Sequence, residues 1–284
     1  MTPRTWEKVA ALFARCLEGS PEEREHWAAA SGTTGEYVRR LLHNQQLAAG
    51  FLETAPQAVR DLRRAATPRL SLGQRLSARY RIRRLLARGA VGEVYAAFDE
   101  REQQDVALKV ADSRQGEAEL AREWRLGRLV SHPHVCPFYD LGHDGHTYLT
   151  MALLRGETLA TRLRRPVGSS DARDWSRQLL LAVAAIHDAG LVHRGLTPDN
   201  VILEGDHAYI LGFGLADQEP CGPNRNWSSH RYLAPEQQHG ARATRASDIY
   251  SLGLIFRQLG VDNLAARMLA EDPAHRPTAH QLVT

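Results

Sequence analysis

Two glycines, a lysine and a glutamate lie at spacings that suit phosphate binding. The stretch "LARGAVGEVYAAFD" places Gly89 and Gly92 between two strand-like runs, where the missing Cβ lets backbone approach a phosphate closely. In "VALK", Lys109 lies on the next strand-like run, within reach of phosphate oxygens, and Glu123 on the following helix can hold it by an ion pair. Taken singly, these residues are more typical of a hairpin, a surface lysine and a surface glutamate.

The elements that must position these residues follow a simple order along the chain. Short strand-like runs are followed by one helix, a further strand and then a long helical region from about residue 171. Strands first and helices afterwards predict an α+β chain with two lobes, not alternating βαβ units. The runs are "YRIRRLLA", "GEVYAAFD" and "DVALKVAD", the helix "EAELAREWRLGRLV" and the further strand "TYLTMALL".

The region before these strands is predicted to be helical and separate. Residues 1–66 contain three short amphipathic stretches, the second opened by Ser20 as N-cap and Pro21 at the first helical position. We expect a small helical extension at 1–66, a linker at 67–76 and the main domain at 77–284, with lobes at about 77–150 and 155–284. The extension is either structural or a partner-binding module.

Composition narrows the classes of function. The 284 residues carry 36 Lys and Arg against 33 Asp and Glu, so a nucleic-acid partner is not expected. The three cysteines lack CxxC spacing and suggest reduced thiols in the cytoplasm. No run is long and apolar enough to span a membrane, and "MTPRTWEKVA" lacks a signal-peptide core. The histidines have no metal-ligand spacing, so no metal site is expected.

Taken in order, the motifs over roughly residues 76–282 resemble the protein kinase family, most closely the serine/threonine (eukaryotic-like) kinases of bacteria. "LARGAVGEVY" is similar to the glycine-rich loop, "VALK" to the lysine strand, "HRGLTPDN" to the catalytic loop, and "RYLAPE" to the end of the activation segment. The resemblance implies a bilobal kinase fold. It also implies a nucleotide pocket formed by Gly89, Gly92, Val94, Ala107, Lys109, Glu123, Met151 as gatekeeper, the backbones of Ala152 and Leu154, Asn200 and Ile202.

The same resemblance shows what this chain has replaced. The family's proton-accepting aspartate falls on Gly195, its nearby lysine on Thr197, and its magnesium-binding aspartate on Gly212. A positioned base contributes about 10²–10⁴ in rate, and glycine has no side chain to supply it. The first glycine of the phosphate loop is Ala87. We therefore expect no catalytic residue and no metal ligand at these positions.

The resemblance also implies structural contacts within the helical lobe. Asp248 should accept hydrogen bonds from the catalytic-loop backbone, and Glu236 should pair with Arg276. The short spacing between Asp248 and Arg276 predicts that helix G is missing, which leaves one face of the lobe bare.

The apolar stack that joins the lobes in this family falls here on Phe138, His193 and Phe213. Its member on helix C falls on Gly127. This glycine predicts a gap, which leaves helix C mobile or is filled by another side chain, such as one from the N-terminal helices.

These observations predict a pseudokinase of bacterial signalling, a scaffold or allosteric regulator that binds a protein partner and requires no cofactor. The partner is an active kinase or another regulator, and the oligomeric state stays open. One alternative is a nucleotide sensor that binds ATP or ADP without Mg²⁺. The other is a weak or non-standard nucleotide-dependent transferase, for which Asn200 and Lys109 remain.

Overall fold

A computed structural model describes residues 68–89, 91–212 and 231–283, together with a few positions among the first 38. The chain divides into two compact units, Met1–Arg69 and Leu70–Thr284. In the first unit, described positions such as Trp27 and Val38 are helical. Most of the predicted helical extension, and Phe213 of the predicted stack, lie outside the described residues.

The first lobe of the second unit is built on an antiparallel sheet in the order β1-β2-β3-β4-β6-β5. One face packs around Leu108, Val110 and Tyr95, which are buried together with Leu70 from the segment before the sheet. Side chains alternate between the two faces, so the other face is left for helix packing and for the cleft. The strands are β1 Arg75–Leu76, β2 Tyr80–Gly89, β3 Gly92–Asp99, β4 Gln104–Ala111, β5 Phe138–His143 and β6 Thr147–Ala152.

Helix α1, Arg114–Gly127, packs against the sheet. The Ser113 hydroxyl caps its first turn by accepting from the Gly116 amide at 3.1 Å. Leu120, one turn before Glu123, is fully buried among Val91, Ala111 and Leu149. This apolar contact fixes the face of α1 that carries Glu123.

The second lobe is mainly helical, with a small sheet in the order β7-β8-β9. Its core joins α3 and α5, which bury Leu179, Val183, Leu252 and Phe256. The elements are β7 Glu157–Thr158, α2 Leu159–Arg162, α3 Ser169–Asp188, a 3₁₀ helix Pro198–Asn200, β8 Val201–Glu204, β9 His207–Ile210, α4 Pro235–Gln238, α5 Arg245–Gln258, α6 Asp262–Met268, a 3₁₀ helix Pro273–His275 and α7 Ala279–Val283. The predicted α+β fold with two lobes is confirmed.

The connection from α5 to α6 is as short as the sequence predicts. Only three residues separate Gln258 from Asp262. A Cβ on Gly253 would lie 2.8 Å from the Met268 Cβ, so this glycine lets the two helices pack closely. Where side chains are described, the large apolar ones that are strongly exposed, Leu72, Leu129 and Tyr139, lie outside this lobe. Among the described residues of this lobe, the missing helix therefore leaves no large apolar side chain strongly exposed.

Strand β9 joins the two lobes through backbone contacts with residues 134–136. The Ile210 amide donates to the His134 carbonyl at 2.9 Å, and the Cys136 amide donates to the Ile210 carbonyl at 3.0 Å. The His134 ring lies 5.5 Å from the His132 ring and 6.0 Å from the His207 ring, between centroids. A cluster of imidazoles thus surrounds the backbone bridge between the lobes.

The expected gap at Gly127 is filled by Phe138. A Cβ on Gly127 would lie 2.2 Å from Cδ2 of the Phe138 ring. Of the two predicted outcomes, filling by another side chain is the one observed, because the Phe138 ring occupies the space that a side chain on α1 would take.

Filling this position should destabilise the protein. Gly127→Leu would force an extra side chain onto the Phe138 ring, and we expect the free energy of unfolding to fall by about 1–3 kcal/mol in urea denaturation. In the double variant with Phe138→Ala, the two losses should not add, because the leucine then occupies vacated space. Gly195→Ala is the matched control, since no heavy atom lies within 4 Å of its added Cβ. Additive losses would contradict the assigned contact.

The imidazole cluster predicts a dependence of stability on pH. Burial lowers the pKa of His134, and the neighbouring His132, His207 and Arg177 add to this. Its Nδ1 is buried and has no hydrogen-bond partner, so a proton there would be unsatisfied. The unfolded state then binds the proton first, and stability is lost as pH falls below about 6.5 towards the lower folded pKa.

Urea unfolding at several pH values between about 7.5 and 5 measures this loss. We expect His134→Asn to lose less stability than the wild type across that interval, because it carries no titrating imidazole at this position. His275→Asn, at an exposed histidine, is the control and should follow the wild type. Equal slopes for wild type and His134→Asn would exclude this cause.

Candidate active site

The ion pair suggested by the sequence is formed in the structure. Lys109 Nζ lies 2.7 Å from Glu123 Oε2, joining β4 to α1. Glu123 is 2% exposed, and the apolar packing of Leu120 holds its helix against the sheet. The lysine is thus already paired with a carboxylate in this conformation.

The two phosphate-loop glycines have different structural reasons to be glycine. A Cβ on Gly92 would lie 1.8 Å from the Val110 carbonyl oxygen, and its φ of 148° favours glycine, so the antiparallel pairing of β3 with β4 requires it. A Cβ on Gly89 would meet only the Gly92 oxygen, at 3.9 Å. Retention of Gly92 therefore follows from the sheet and is not by itself a sign of phosphate binding.

The inner end of the cleft is an apolar surface. Ala107 and Met151 are buried together with Cys136, and the predicted pocket residues Val94, Ala152 and Leu154 pack against them. Ile202 lies on β8 and is half-buried. The structure thus brings the predicted adenine-contacting side chains from the first lobe into one cluster.

Two residues of this region were not identified from the sequence. Leu211 and Cys136 belong to the same apolar cluster. Burial raises the pKa of the Cys136 thiol to about 12, so the group is neutral. The sequence carried no signal for Cys136, because its burial depends on contacts with residues distant in the chain.

The hinge after the gatekeeper contains one used and one unused backbone amide, at Ala152 and Leu154. The Ala152 amide donates to the Pro137 carbonyl at 3.0 Å and is therefore used within the fold. The Leu154 amide makes no hydrogen bond to any other residue in the described part of the chain. A purine bound here could accept from Leu154 N–H.

The catalytic-loop backbone keeps its arrangement around Gly195. Asn200 Nδ2 donates to the Gly195 carbonyl at 2.6 Å, and the Gly195 amide donates to His193 Nδ1 at 3.3 Å. A Cβ on Gly195 would have no heavy atom within 4 Å, so the side-chain position is open. Thr197, at the family's lysine position, is buried.

Gly212 leaves the expected metal position without its carboxylate. Its φ of 76° is in the left-handed region, and a Cβ there would lie 3.5 Å from Glu123 Oε1. No group of three or more His, Cys, Asp or Glu within the described ranges could hold a metal ion. Magnesium is usually bound through one or two carboxylates together with substrate phosphates. Gly212 has no side-chain oxygen and Asn200 offers only an amide oxygen, so these two positions lack the carboxylate that would hold Mg²⁺.

The Asp248 carboxylate of α5 holds the backbone of the catalytic loop through hydrogen bonds. Its Oδ2 accepts from the His193 amide at 2.7 Å and its Oδ1 from the Arg194 amide at 2.8 Å, while His187 Nε2 lies 3.0 Å from Oδ2. Burial lowers the pKa of His193 despite nearby Asp248. The neutral ring can therefore donate from Nε2 to the Leu211 carbonyl, 3.0 Å away.

A second buried ionic contact braces the helical lobe. Arg276 donates from Nη1 and Nη2 to the two oxygens of Glu236 at 2.7 and 2.8 Å. Burial alone would raise the pKa of Glu236, but the hydrogen bonds from Arg276 and Ser247 hold it below its usual value. Both interactions expected from the family pattern are thus present in the geometry.

Comparison with known proteins agrees with this architecture. Residues 80–262 match the family described as the protein kinase domain, so the chain belongs to the protein kinase family. It is 36% identical over 186 residues to serine/threonine-protein kinase PknE of Mycobacterium tuberculosis, covering 61% of this chain and 33% of PknE. The predicted membership in the bacterial eukaryotic-like kinases is confirmed.

Two further mycobacterial relatives are similar. PknD of Mycobacterium tuberculosis is 31% identical over 222 residues, which is 70% of this chain and 33% of PknD. PknA of Mycobacterium bovis is 35% identical over 202 residues, which is 65% of this chain and 47% of PknA. The chain thus matches between 33% and 47% of the length of these kinases. No helix in the part that the structure describes has the length and apolar character needed to cross a membrane.

Removal of Lys109 tests whether its ion pair supports the fold. Lys109→Met leaves the buried Glu123 carboxylate without its partner, and we expect the free energy of unfolding to fall by about 3 kcal/mol. Lys109→Met combined with Glu123→Gln should recover part of this loss, because the neutral amide costs less to bury. Urea denaturation of the three proteins measures both effects. Unchanged stability in Lys109→Met would mean that the pair contributes nothing to folding.

Proposed function

We propose that this chain is a pseudokinase, a protein kinase fold that binds a partner and does not transfer phosphate. The observation that carries the proposal is the loss of both carboxylates at once, at Gly195 and Gly212. Phosphoryl transfer depends on positioning the reactants and neutralising phosphate charge, so the base and the metal anchor are removed together.

Neighbouring carboxylates are poor substitutes. Asp199 is exposed and close enough to Tyr232 to contribute to its raised pKa, after the larger effect of burial. Glu123 has one oxygen near Gly212, but its other oxygen holds Lys109. Asp217, the remaining acid considered, lies outside the described residues. A metal ion or a substrate hydroxyl would therefore lack a dedicated carboxylate.

The retained contacts support a role as a scaffold or allosteric regulator. Asp248, Glu236 and Arg276 keep the helical lobe and catalytic loop ordered although the loop no longer carries a base. Binding of a partner protein would require the kinase fold but not the catalytic carboxylates. We propose that the partner is an active kinase or another signalling regulator, and that the protein acts in the cytoplasm.

Two alternatives remain as proposals of lower rank. The apolar end of the cleft favours a metal-independent nucleotide sensor. Backbone groups of the hinge would bind the purine ring, and these groups are kept when side chains change. The relatives are named serine/threonine-protein kinases, and Lys109 with Asn200 would serve a residual or non-standard transferase.

The decisive experiment is a transfer assay with radiolabelled ATP, Mg²⁺ or Mn²⁺ and a general protein substrate. We expect no incorporation above that of heat-denatured protein, since neither base nor metal anchor is present. Incorporation by the wild type that disappears in Lys109→Met would overturn the pseudokinase proposal and favour the transferase. A parallel measurement of folded fraction is needed, because Lys109→Met also removes a stabilising pair.

Restoring the acidic groups provides the reciprocal test. In Gly212→Asp combined with Gly195→Asp and Thr197→Lys, the open space at Gly195 accepts a side chain, and aspartate tolerates a left-handed backbone better than most residues. We expect this variant to gain an Mg²⁺-dependent rise in melting temperature with ATP. The variant Gly195→Asn, Gly212→Asn is the control of similar size without the charges. An equal response in both variants would argue against a role for the lost carboxylates.

A further inference from the structure

We propose that four arginines of the first lobe, with one from the segment after the hinge, form a docking surface for an acidic segment of the partner protein. Because the proposed function is the binding of a partner protein, this assignment rests on that function and adds the chemistry of the partner. The five residues, together called the arginine surface, are Arg75, Arg81, Arg83, Arg84 and Arg155.

The strand register begins this surface as a row across the sheet. Arg75 of β1 is paired with Arg81 of β2, and Arg81 is paired in turn with Phe98 of β3. Phe98 is paired with Asp105 of β4. Residues paired on neighbouring strands lie on the same face of a sheet, so the row crosses four strands on one face.

A β-bulge in β2 adds two more arginines beside this row. The register of β2 against β3 shifts between Ile82 and Arg84, so the alternation of faces is interrupted and both Arg83 and Arg84 are exposed. Arg84 is paired with Ala96, which lies two residues before Phe98 and therefore on the same face. The bulge thus concentrates guanidinium groups next to the row.

The Phe98 ring supports two of these guanidinium groups. Cζ of Arg83 lies 4.7 Å from the ring centroid, and Cζ of Arg81 lies 5.8 Å from it. Cation–π contacts hold the long side chains in place, so part of the conformational entropy that binding would cost is already lost. The side chains of Arg81 and Arg83 are nevertheless 49% and 46% exposed, which leaves them accessible to a partner.

Each carboxylate on this surface is shared between two arginines. Glu100 Oε1 lies 3.0 Å from Nη2 of Arg75 and 3.4 Å from Nε of Arg81. A guanidinium group has five N–H donors, so a single shared oxygen leaves most of them available to another acceptor. Ion pairs at such exposed positions are weak, and carboxylates of a partner can join or replace them.

Asp105 is shared in the same way. Its Oδ1 lies 2.7 Å from Nη1 of Arg83, and its Oδ2 lies 2.8 Å from Nη2 of Arg155. Arg84 has no ionic partner in the part of the chain that the structure describes. Five guanidinium groups therefore face two carboxylates, which leaves a surplus of three positive charges on this surface.

The length of the row fits a short extended segment. Neighbouring strands are about 4.8 Å apart, so the row from β1 to β4 spans about 14 Å. An extended chain rises about 3.3 Å per residue, and about four or five residues cover this distance. A segment of this length with three or more acidic side chains would match the surplus.

The surroundings favour such a segment over a larger polyanion. Next to the arginine surface, Arg79 lies 2.6 Å from Asp99 and Arg101 lies 3.6 Å from Glu102, so these cations are paired with carboxylates. The whole chain has a net charge of only +3. An anionic membrane or a duplex nucleic acid is bound through many cations over a larger area, whereas a short acidic segment needs only a local surplus.

Fluorescence anisotropy with the full chain and fluorescein-labelled hexaglutamate measures this binding. Hexaglutamine and hexalysine with the same label are the control peptides. We expect hexaglutamate to bind about tenfold more tightly than either control, because only it complements the surplus charge. The affinity should fall as the salt concentration is raised, since salt screens exposed charges.

Two variants with opposite expected effects tie the binding to the arginine surface. Arg81→Glu combined with Arg83→Glu should weaken hexaglutamate binding about tenfold. Glu100→Gln combined with Asp105→Asn removes the competing carboxylates and should tighten it. Circular dichroism checks the fold of each variant, and the tightening still tests the surface if the charge-reversed variant does not fold.

The matched control reverses two exposed arginines elsewhere. Arg242→Glu combined with Arg245→Glu, in the helical lobe, changes the net charge by the same amount and should leave most of the affinity. Equal weakening in both reversed variants would overturn the inference, because the attraction would then come from net charge alone. Unchanged or weaker binding after Glu100→Gln with Asp105→Asn would overturn it as well.

The remaining outcomes concern the class of partner and the proposed function. Failure of hexaglutamate to bind, or equal binding of hexalysine, overturns the inference. Tighter binding of phosphatidylserine vesicles or duplex DNA than of hexaglutamate also overturns it, because the surface would then recognise a polyanion. The pseudokinase proposal is decided separately by the transfer assay with ATP, so either proposal can fail while the other stands.

Discussion

The buried carboxylate of Asp248 is the contact on which the arrangement of the cleft depends. It accepts the His193 and Arg194 amides and lies within hydrogen-bond distance of His187, tying α5 and α3 to the loop. Arg194 has a φ of 70°, and such a backbone persists only where its surroundings hold it. The loop keeps its course because of Asp248 and of the backbone hydrogen bonds of Gly195, none of which needs a side chain at position 195.

The residues that hold the catalytic loop in place are not the residues that would carry out catalysis, so the fold can persist after the catalytic carboxylates are lost. Asp248 and Arg276 are buried, and Arg276 is paired with the half-buried Glu236, so removal of one partner would leave unpaired charge inside the lobe. The replaced positions, Gly195 and Gly212, are not packed in this way. No heavy atom lies within 4 Å of a Cβ on Gly195, and only a Glu123 oxygen does so at Gly212. Folding therefore places no demand on a carboxylate at either site.

The two ends of the cleft differ in what the fold requires of them. At the hinge, Ala107, Cys136 and Met151 are packed into one apolar cluster, so their side chains are fixed by the sheet. At the other end, the ion pair of Lys109 with Glu123 is formed, whereas positions 195 and 212 carry no carboxylate. The architectural contacts are thus present without the acidic groups of the catalytic loop and the metal position.

The sequence by itself determined the family, the order of the two lobes and the glycines at the catalytic and metal positions, because these follow from ordered motifs and local periodicity. It also indicated the pairing of Lys109 with Glu123 and of Glu236 with Arg276. Tertiary structure alone decided that Phe138 fills the space beside Gly127, since a gap at one residue says nothing about which ring can reach it. It likewise decided that Gly92 is demanded by the Val110 carbonyl and that Cys136 is buried with Ala107 and Met151, because both depend on contacts between segments distant in sequence.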